Sequence, residues 1–434
     1  MVATTGEKGE RLMGKRAQAR SNFGAKGWGM IGYCALLMYL GGGINTQGSN
    51  LFSSQAAAAH GWEYVEILRY FTYAGWIAIL VSLAAGQFIM KRGSRSVCVA
   101  ALAAGAAGLI LLGVADSRPV YIIAVILTVC SLVVYSNQVP NTLMNQWFPR
   151  KKAMALGWST MGFPLVSIFF PRMFLWMMEA LGYRSGFFLF GGILLALAAA
   201  TALCVRDMPE EAGAWPDNDR TIDRAALDAA VAQKASYRSP WSVSRLLKCK
   251  TMWLCGISMG LLWLVVVGIA GQWIPRIVSL GYERSFAVNL LTLNGVVGLG
   301  ASYFWGYIDQ RLGTKRACII YGLYYILELI CLLAFTSAAG MYLVAVVAGI
   351  GTGGIANLIP SLIGTIWGRW DFPAVNRVLN PLTNFLKGSA ALVISFALTR
   401  LGGYTGMYLL FIVLCAAATG ILLLLDDRMI GSAP

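Results

Sequence analysis

The most constraining feature of this sequence is a series of apolar segments, each long enough to cross a lipid bilayer. A helix needs about 20 predominantly apolar residues to cross roughly 30 Å of hydrocarbon. Twelve such windows occur, at residues 28–52, 66–90, 96–115, 119–146, 153–177, 185–205, 251–275, 285–308, 315–336, 341–367, 373–399 and 404–425. Only 12% of the residues are charged, which excludes an ordinary soluble domain. The sequence therefore predicts an all-α membrane protein with twelve transmembrane helices, called spans 1 to 12 below.

The chain also resembles itself at a constant offset of 220 residues. The matching pairs are Gly86 with Gly306, Gly93 with Gly313, Asn137 with Asn357, Pro140 with Pro360, and Trp147 with Trp367. Each copy falls at the same place in the series of spans. This pattern predicts two parallel, pseudo-symmetric halves of six helices each, as in membrane carriers.

The polar segments divide the chain further. We expect an N-terminal tail at 1–27, a first half at 28–205, a linker at 206–250, a second half at 251–425 and a C-terminal tail at 426–434. Within the linker, Thr221 to Gln233 has the pattern of a soluble helix. The stretch from Trp241 to Leu247 is amphipathic, which is typical of a segment on the membrane surface.

Basic residues are distributed unevenly between the two sides of the predicted bundle. If the N-terminus is cytoplasmic, the inner side receives Arg11, Lys15, Arg16, Arg20, Lys26, Lys91, Arg92, Arg95, Arg150, Lys151, Lys152, Arg311, Lys315, Arg316, Arg369 and Arg377. The other side receives mainly Arg118, Arg184, Arg276, Arg284 and Arg400. This bias predicts a multi-pass protein of the plasma (inner) membrane with both termini cytoplasmic. It also explains the net charge of +15 without nucleic acid binding.

The sequence offers no pattern for hydrolytic or metal chemistry. His60 is the only histidine, and it lies far along the chain from any cluster of carboxylates or cysteines. The nine cysteines show no Cys-x-x-Cys spacing, so we expect them to be small apolar fillers. We therefore expect no metal, no cofactor and no enzymatic activity.

A lysine lies deep in predicted span 11. Lys387 is about fourteen residues into the span, or roughly 21 Å along the helix, which places it near the middle of the bilayer. It ends a stripe on one helix face that consists of Asn376, Asn380, Asn384 and Lys387. Such a stripe suits an anion, because the amides orient it and the lysine neutralises it. The alternative is a permanent pair between Lys387 and an internal carboxylate such as Glu328.

Span 4 carries a comparable polar stripe. Its members are Asn137, Asn141 and Asn145, with Gln138 adjacent and Pro140 interrupting the backbone ladder. These side chains either line the transport pathway or form hydrogen bonds with neighbouring helices.

Two further charged residues fall inside predicted spans. Glu328 in span 9 would be costly as an ion at the bundle periphery, so it is expected to be protonated, paired or involved in proton coupling. Arg172 in span 5 either adds a second positive charge for an anion or extends to the outer interface.

Two similar loops join spans 2 and 3 and spans 8 and 9. Their glycines permit a tight turn and close helix approach, while the basic residues stay at the anionic surface. The candidate gating residues are Gly86, Arg92 and Gly93 in the first loop, and Gly306, Asp309, Arg311 and Gly313 in the second. Loops of this pattern after spans two and eight of twelve resemble those of the major facilitator superfamily, and the resemblance covers essentially the whole chain.

In that superfamily an acidic residue of the loop helps to stabilise the outward-open state through charge contacts between the halves. This chain has Met90 at that position in the first copy, and Asp309 stands one residue early in the second. The resemblance therefore implies a charge contact between the halves only for the second loop, where Asp309 and Arg311 would take part in it. The alternative is a turn that serves topology alone.

A narrower resemblance is to the oxalate/formate antiporter branch and its monocarboxylate-transporter relatives. It rests on the segments Trp147 to Gly157 and Pro209 to Gly213, and on the lysine of span 11. In that branch a lysine of span 11 and an arginine of span 8 bind carboxylates. Lys387 matches the lysine, whereas span 8 offers Asn289 and Asn294 and no arginine, and span 1 lacks the lysine that is typical of monocarboxylate porters.

Together these features predict a secondary active transporter that moves a small or medium organic anion, above all a carboxylate, by alternating access. The predicted binding residues are Lys387, Asn384, Asn380, Asn137, Asn141 and Gln138. The direction is open, and so is the choice between a proton and an exchange anion as coupling partner. We expect a monomer in the lipid bilayer. Two other functions remain: an exporter of lipophilic or cationic compounds, and a non-transporting receptor with a carrier fold.

Overall fold

The structure is a computed structural model that describes residues 22–430. Most of the predicted N-terminal tail, including Arg11, Lys15, Arg16 and Arg20, and residues 431–434 lie outside the described residues. The described chain is almost entirely helical. Its α-helices are Gly24–Gly43, Ser49–His60, Tyr64–Val114, Arg118–Val133, Val139–Trp147, Lys152–Ser159, Gly162–Cys204, Arg224–Ser236, Val243–Leu247, Lys250–Ser279, Arg284–Leu312, Thr314–Ala334, Ala338–Thr352, Ile355–Gly388, Ala390–Arg400 and Tyr404–Leu423.

Nine continuous helical stretches of the described chain are long and apolar enough to cross a membrane. Three of them contain 49, 53 and 63 residues, far more than the roughly 20 that one crossing needs. Each of these three turns back at a glycine: Gly93, Gly182 and Gly368 have φ angles of 83°, 78° and 74°. Their ψ angles are extended, a combination that only glycine adopts readily. Division at these glycines yields twelve spans, so the predicted fold class is confirmed.

Each half of the bundle has its own apolar core. One cluster of buried side chains extends from Phe23 to Val205, and the other from Trp241 to Leu425. The linker between span 6 and span 7 contains the helices Arg224–Ser236 and Val243–Leu247, close to the two predicted segments. The side of the bundle that carries the linker is called the linker side below.

The offset of 220 residues describes the backbone as well as the sequence. Gly93 and Gly313 have φ angles of 83° and 89°, and each forms the turn after its span. The repeat also extends to Gly182 and Gly402, with φ angles of 78° and 81° at the turns after spans 5 and 11. The two halves therefore reverse direction at equivalent glycines.

The other repeated glycine pair marks the places where the halves cross. A Cβ atom on Gly86 would lie 2.2 Å from the Cβ of Arg377. One on Gly306 would lie 2.6 Å from the carbonyl oxygen of Ala153 and 3.1 Å from the Cα of Gly157. Gly157 and Arg377 are themselves 220 residues apart, so span 8 crosses span 5 as span 2 crosses span 11.

Hydrogen bonds between the halves lie on the linker side and at mid-depth. In the described chain, Gln146 donates to the carbonyl of Arg369, Gln310 to the carbonyl of Arg150, Arg377 to Gln87, and Asn380 to Asn137. In addition, Glu210 of the linker forms a buried ion pair of 3.0 Å with Arg369. The structure is therefore closed on the linker side.

The substitution Gly306→Leu is expected to separate the halves on the linker side, because the atoms it would meet belong to the backbone and cannot rotate away. Cross-linking between cysteines introduced at positions 150 and 310 measures this, in a protein from which the nine native cysteines have been removed. We expect the yield to fall several-fold. Gly300→Leu in the same span is the control, since a Cβ there meets no atom within 4 Å. Equal yields for the two variants would contradict the prediction.

Candidate functional site

The predicted stripes of spans 4 and 11 meet at mid-depth, where they form a continuous chain of amides. The Nδ2 of Asn380 donates to the Oδ1 of Asn137 over 2.8 Å, which joins the two halves. The Nδ2 of Asn141 approaches the same oxygen at 3.4 Å. On the other side, Asn384 donates to the Oδ1 of Asn380. Four of the predicted binding residues are therefore in one hydrogen-bonded group.

A local change of helix geometry presents the asparagines of span 4. Residues Val134–Gln138 form a single π-helical turn, and Pro140 follows in the next helical segment. A proline has no N–H to donate to the preceding turn, so the ladder is interrupted here as the sequence predicts. Span 1 has a π-helical turn of its own at Ile44–Gly48. Such turns occur frequently at functional sites.

A cation lies beyond the end of this amide chain. Lys387 follows Asn384 by three residues, is partly exposed, and has its Nζ 4.6 Å from the centroid of the Trp263 ring. The face of an indole ring attracts a cation. No carboxylate of the described chain lies within 4.0 Å of Lys387. The amine therefore has an aromatic neighbour and no counter-ion.

Close packing of spans 7 and 11 determines the position of this lysine. A Cβ on Gly256 would lie 2.4 Å from Leu382, and one on Gly260 would lie 2.5 Å from Leu386. Small residues four apart let two helices approach closely in a membrane. Because Lys387 directly follows the second leucine, it is brought beside the tryptophan of span 7.

The site contains a buried polar atom that has no partner among the described residues. The Oδ1 of Asn141 is buried and accepts no hydrogen bond from the described residues. The hydroxyl of Tyr135 is also buried and unpartnered, but its ring packs against Gly41 of span 1, inside the first half. Buried polar groups are normally paired, so such atoms indicate a place where water or a ligand completes the bonding.

Two predicted residues lie away from this group. Gln138 donates to the backbone and hydroxyl of Ser82 in span 2, so it packs inside its own half. Neighbouring residues of a helix point in different directions, which explains why Gln138 turns away while Asn137 faces the second half. Arg172 is exposed in span 5 and forms no hydrogen bond or ion pair with the described residues.

Glu328 is buried in the second half. It is 1% exposed, and its Oε2 lies so close to Gly351 of span 10 that a Cβ there would be 2.3 Å away. That oxygen has no hydrogen-bond partner among the described residues. Glu328 forms no ion pair with Lys387, so the alternative of a permanent pair between them is wrong for this conformation.

The two charged residues of the second candidate gating loop have different surroundings. Asp309 is buried and accepts a hydrogen bond of 2.6 Å from the hydroxyl of Thr314. Arg311 is exposed and lies over the ring of Tyr307 at 5.1 Å. Asp309 also interacts electrostatically with Lys152 of the first half, whereas Arg311 forms no ion pair among the described residues. A role of Asp309 in a charge contact between the halves therefore stays a prediction. Arg92 of the first loop is also exposed.

Sequence reasoning missed the role of acidic residues in the linker. Asp207 accepts the backbone N–H of Arg95 over 2.6 Å, and Asp217 accepts those of Arg150 and Lys151. Burial raises the pKa of both carboxyl groups, and these N–H donors oppose the rise. The signal in the sequence was an acidic linker beside basic loops. Opposite charges predict attraction between the linker and the loops, but they do not predict which residues pair.

Comparison with known proteins bears on the identity of this bundle. Residues 34–369 match the model of the Major Facilitator Superfamily. No curated protein matches the chain. A variant of the E. coli fucose:proton symporter FucP aligns with a TM-score of 0.69 at 14% identity, over 93% of this chain and all of that chain. A FucP structure in the outward conformation aligns with a TM-score of 0.68 at 13% identity, over 91% and 98%. At this identity the likeness shows the fold alone.

The substitution Asn137→Ala is expected to weaken the contact between the halves, because it removes the oxygen that accepts from Asn380 and Asn141. We expect a loss of about 1–2 kcal/mol in the free energy of unfolding, seen as a lower Tm in detergent. Asn289→Ala in span 8 is the control, since that side chain is exposed. A Tm that falls equally in both variants would contradict the assignment.

Proposed function

This chain belongs to the Major Facilitator Superfamily, and we propose that it is a secondary active transporter of small or medium organic anions, above all carboxylates. The observation that carries the proposal is Lys387. It is a cation at mid-depth in the bundle, partly exposed, with no counter-ion among the described residues. Charges inside a membrane are expensive and are usually functional. An anion would supply the missing charge.

The ring of Trp263 supports this assignment. A cation over an indole face is stabilised by about 0.5–2 kcal/mol, which is less than a desolvated ion pair provides. The tryptophan therefore holds the amine of Lys387 in place while no substrate is bound. The N–H groups of that amine remain available as donors to a ligand. A carboxylate accepts charge-assisted hydrogen bonds of that kind, which are stronger than bonds between neutral groups.

The amides next to the lysine would orient the anion. Asn384 is adjacent to Lys387 on the same helix face, and Asn380 connects it to Asn137 of the first half. The unpartnered Oδ1 of Asn141 offers an acceptor for a hydroxyl of the substrate. The site would thus recognise a carboxylate at one end and hydrogen-bonding groups at the other.

The same contacts would couple binding to alternating access. The hydrogen bond between Asn380 and Asn137 joins the two halves and must break when they separate on the linker side. A substrate that binds the amides of span 11 competes for this bond. Rocking of the halves about a midplane site would then expose the substrate to each side in turn.

Span 8 supplies no second cation to the site among the described residues, which favours a monocarboxylate over a dicarboxylate. In span 8, Asn289 is exposed and the Oδ1 of Asn294 accepts from the hydroxyl of Thr352 at 3.2 Å. Neither residue offers the positive charge that would clamp a second carboxylate. This is consistent with the monocarboxylate-transporter relatives of the oxalate/formate branch, to which the lysine of span 11 is similar.

The coupling partner is either a proton or an exchange anion. Glu328 is the candidate proton carrier, because its buried Oε2 is unpaired. Exchange needs no such group. Glu328→Gln should therefore abolish accumulation driven by a pH gradient if a proton is coupled, and should leave counterflow of labelled substrate intact in either case.

We propose further that the linker side is cytoplasmic and that the membrane is the plasma membrane. Exposed basic residues on the linker side support this orientation, since short cytoplasmic loops carry the excess of Lys and Arg. They include Lys91, Arg92, Arg150, Arg311 and Arg316.

Lys387→Ala is expected to lower the apparent affinity for the transported carboxylate at least about tenfold, because one charge-assisted contact is lost. Thermal shifts of the purified protein against a panel of organic acids measure binding, and proteoliposome uptake measures transport. Arg172→Ala is the matched control, since it removes an exposed cation outside the amide group. Its affinity should stay within about twofold of the wild type.

Several outcomes would contradict the proposal. Unchanged binding and uptake in the Lys387 variant would reject the site. Competition by lipophilic cations but not by carboxylates would indicate the exporter. Saturable binding without accumulation or counterflow would indicate the receptor. Stabilisation by neutral sugars alone would show that the amides, and not the lysine, determine recognition.

A further inference from the structure

A second group of cations without counter-ions surrounds a cavity on the linker side. The cavity has a volume of about 440 Å³ and lies where spans 2 and 11 meet the linker. Its lining residues are Gln87, Met90 and Lys91 of the first half, Tyr237, Arg238, Ser239, Trp241 and Ser242 of the linker, and Arg377 of the second half. All three parts of the chain therefore contribute to one site, and Lys387 is not part of it.

The charge of this cavity is strongly one-sided. Three of its lining residues, Lys91, Arg238 and Arg377, are cationic, and no lining residue is acidic. None of the three forms an ion pair within the described chain. The nearby carboxylate of Asp371 accepts hydrogen bonds from the hydroxyls of Tyr237 and Ser239, at 2.7 and 2.6 Å. Three cations against this one adjacent carboxylate leave the cavity with an excess of positive charge.

Two buried donors at this cavity have no acceptor. Arg377 is 9% exposed, and its guanidinium donates through Nη1 to Gln87 while its Nε has no partner among the described residues. Trp241 is 7% exposed, and its indole Nε1 is likewise unpartnered. Buried donors are normally satisfied, so these two indicate an acceptor that binds here.

We propose that this cavity binds a phosphate group, carried either by an anionic lipid headgroup or by a soluble phosphate compound. A phosphate accepts more hydrogen bonds than a carboxylate, and guanidinium groups match its geometry. The cavity offers two arginines, a lysine, an indole N–H and the hydroxyl of Ser242. Basic pockets between helices on the cytoplasmic side are suited to lipid headgroups.

Occupation of this cavity would favour the conformation that is closed on the linker side. Span 2 and span 11 cross here, with Gly86 against Arg377, and the ligand would contact residues of both spans. Opening on the linker side separates these residues and would break the contacts. A ligand that binds one conformation better shifts the population toward it. The phosphate group would therefore act as a regulator of transport, distinct from the substrate at Lys387.

Full-length protein in nanodiscs tests this proposal. In phosphatidylcholine discs, inorganic phosphate is titrated against chloride and acetate at equal ionic strength, and Tm is measured. Discs that contain phosphatidylglycerol form a second arm without added phosphate. The test variant is the double substitution K91Q and R238Q, and the control is K248Q with K250Q. The control removes the same charge from exposed lysines of the linker side that do not line the cavity.

A soluble ligand predicts that phosphate raises Tm in a saturable way for the wild type and the control, and that the test variant loses about tenfold or more in apparent affinity. A lipid ligand predicts the same pattern for phosphatidylglycerol over phosphatidylcholine, with no response to phosphate. The response should survive Lys387→Ala, which separates this site from the proposed substrate site.

Three results would overturn the inference. The first is no stabilisation by either probe. The second is an equal response in the test and control variants, or an effect of acetate or chloride as large as that of phosphate, since either would be a general salt effect. The third is loss of the phosphate response in the Lys387 variant, because the cavity would then not be an independent site.

Discussion

The close crossing of the two halves on the linker side is the constraint on which the rest of the structure depends. Gly157 meets Gly306 backbone to backbone, and Gly86 meets the stem of Arg377. Helices in lipid gain nothing from hydrophobic burial against each other, so association relies on such close packing and on polar contacts. Because the halves touch here, spans 4 and 11 also meet, and their amides bond at mid-depth. Lys387 lies just beyond that contact, with no counter-ion among the described residues.

Acidic and basic residues inside the bundle differ in whether their charges have partners. The buried carboxylates of Asp217, Asp309 and Asp371 accept from backbone N–H groups and hydroxyls, while Lys387 and Arg377 have no carboxylate partner among the described residues. A cation that is largely withdrawn from water and has no ionic partner costs stability in the empty protein. The same cost favours any anion that can reach it. We therefore propose anion-binding chemistry at two depths, one at the midplane and one at the linker side, and the two sites are built from different residues.

The sequence predicts which polar residues share one face of a helix, but it does not predict which residues of different helices are in contact. The spacing of Asn380, Asn384 and Lys387 is helical, so their common face follows from geometry alone. The bond from Asn380 to Asn137 joins residues 243 apart in the chain, and no local pattern specifies that register. Gln138 illustrates the limit: it lies beside Asn137 in sequence, yet it packs against span 2 because a helix rotates by about 100° per residue.

The sequence by itself determined the number of spans, the turns at Gly93 and Gly313 and the equivalence of the two halves. These depend on segment length, backbone freedom and repetition, which are properties of local sequence. The tertiary structure alone decided which residues Gly86 and Gly306 meet, that Asp309 bonds to Thr314, and that linker residues complete a cationic cavity with Arg377. The reason is physical: contacts between distant segments depend on how whole helices pack, and that packing is decided by every residue along the interface together.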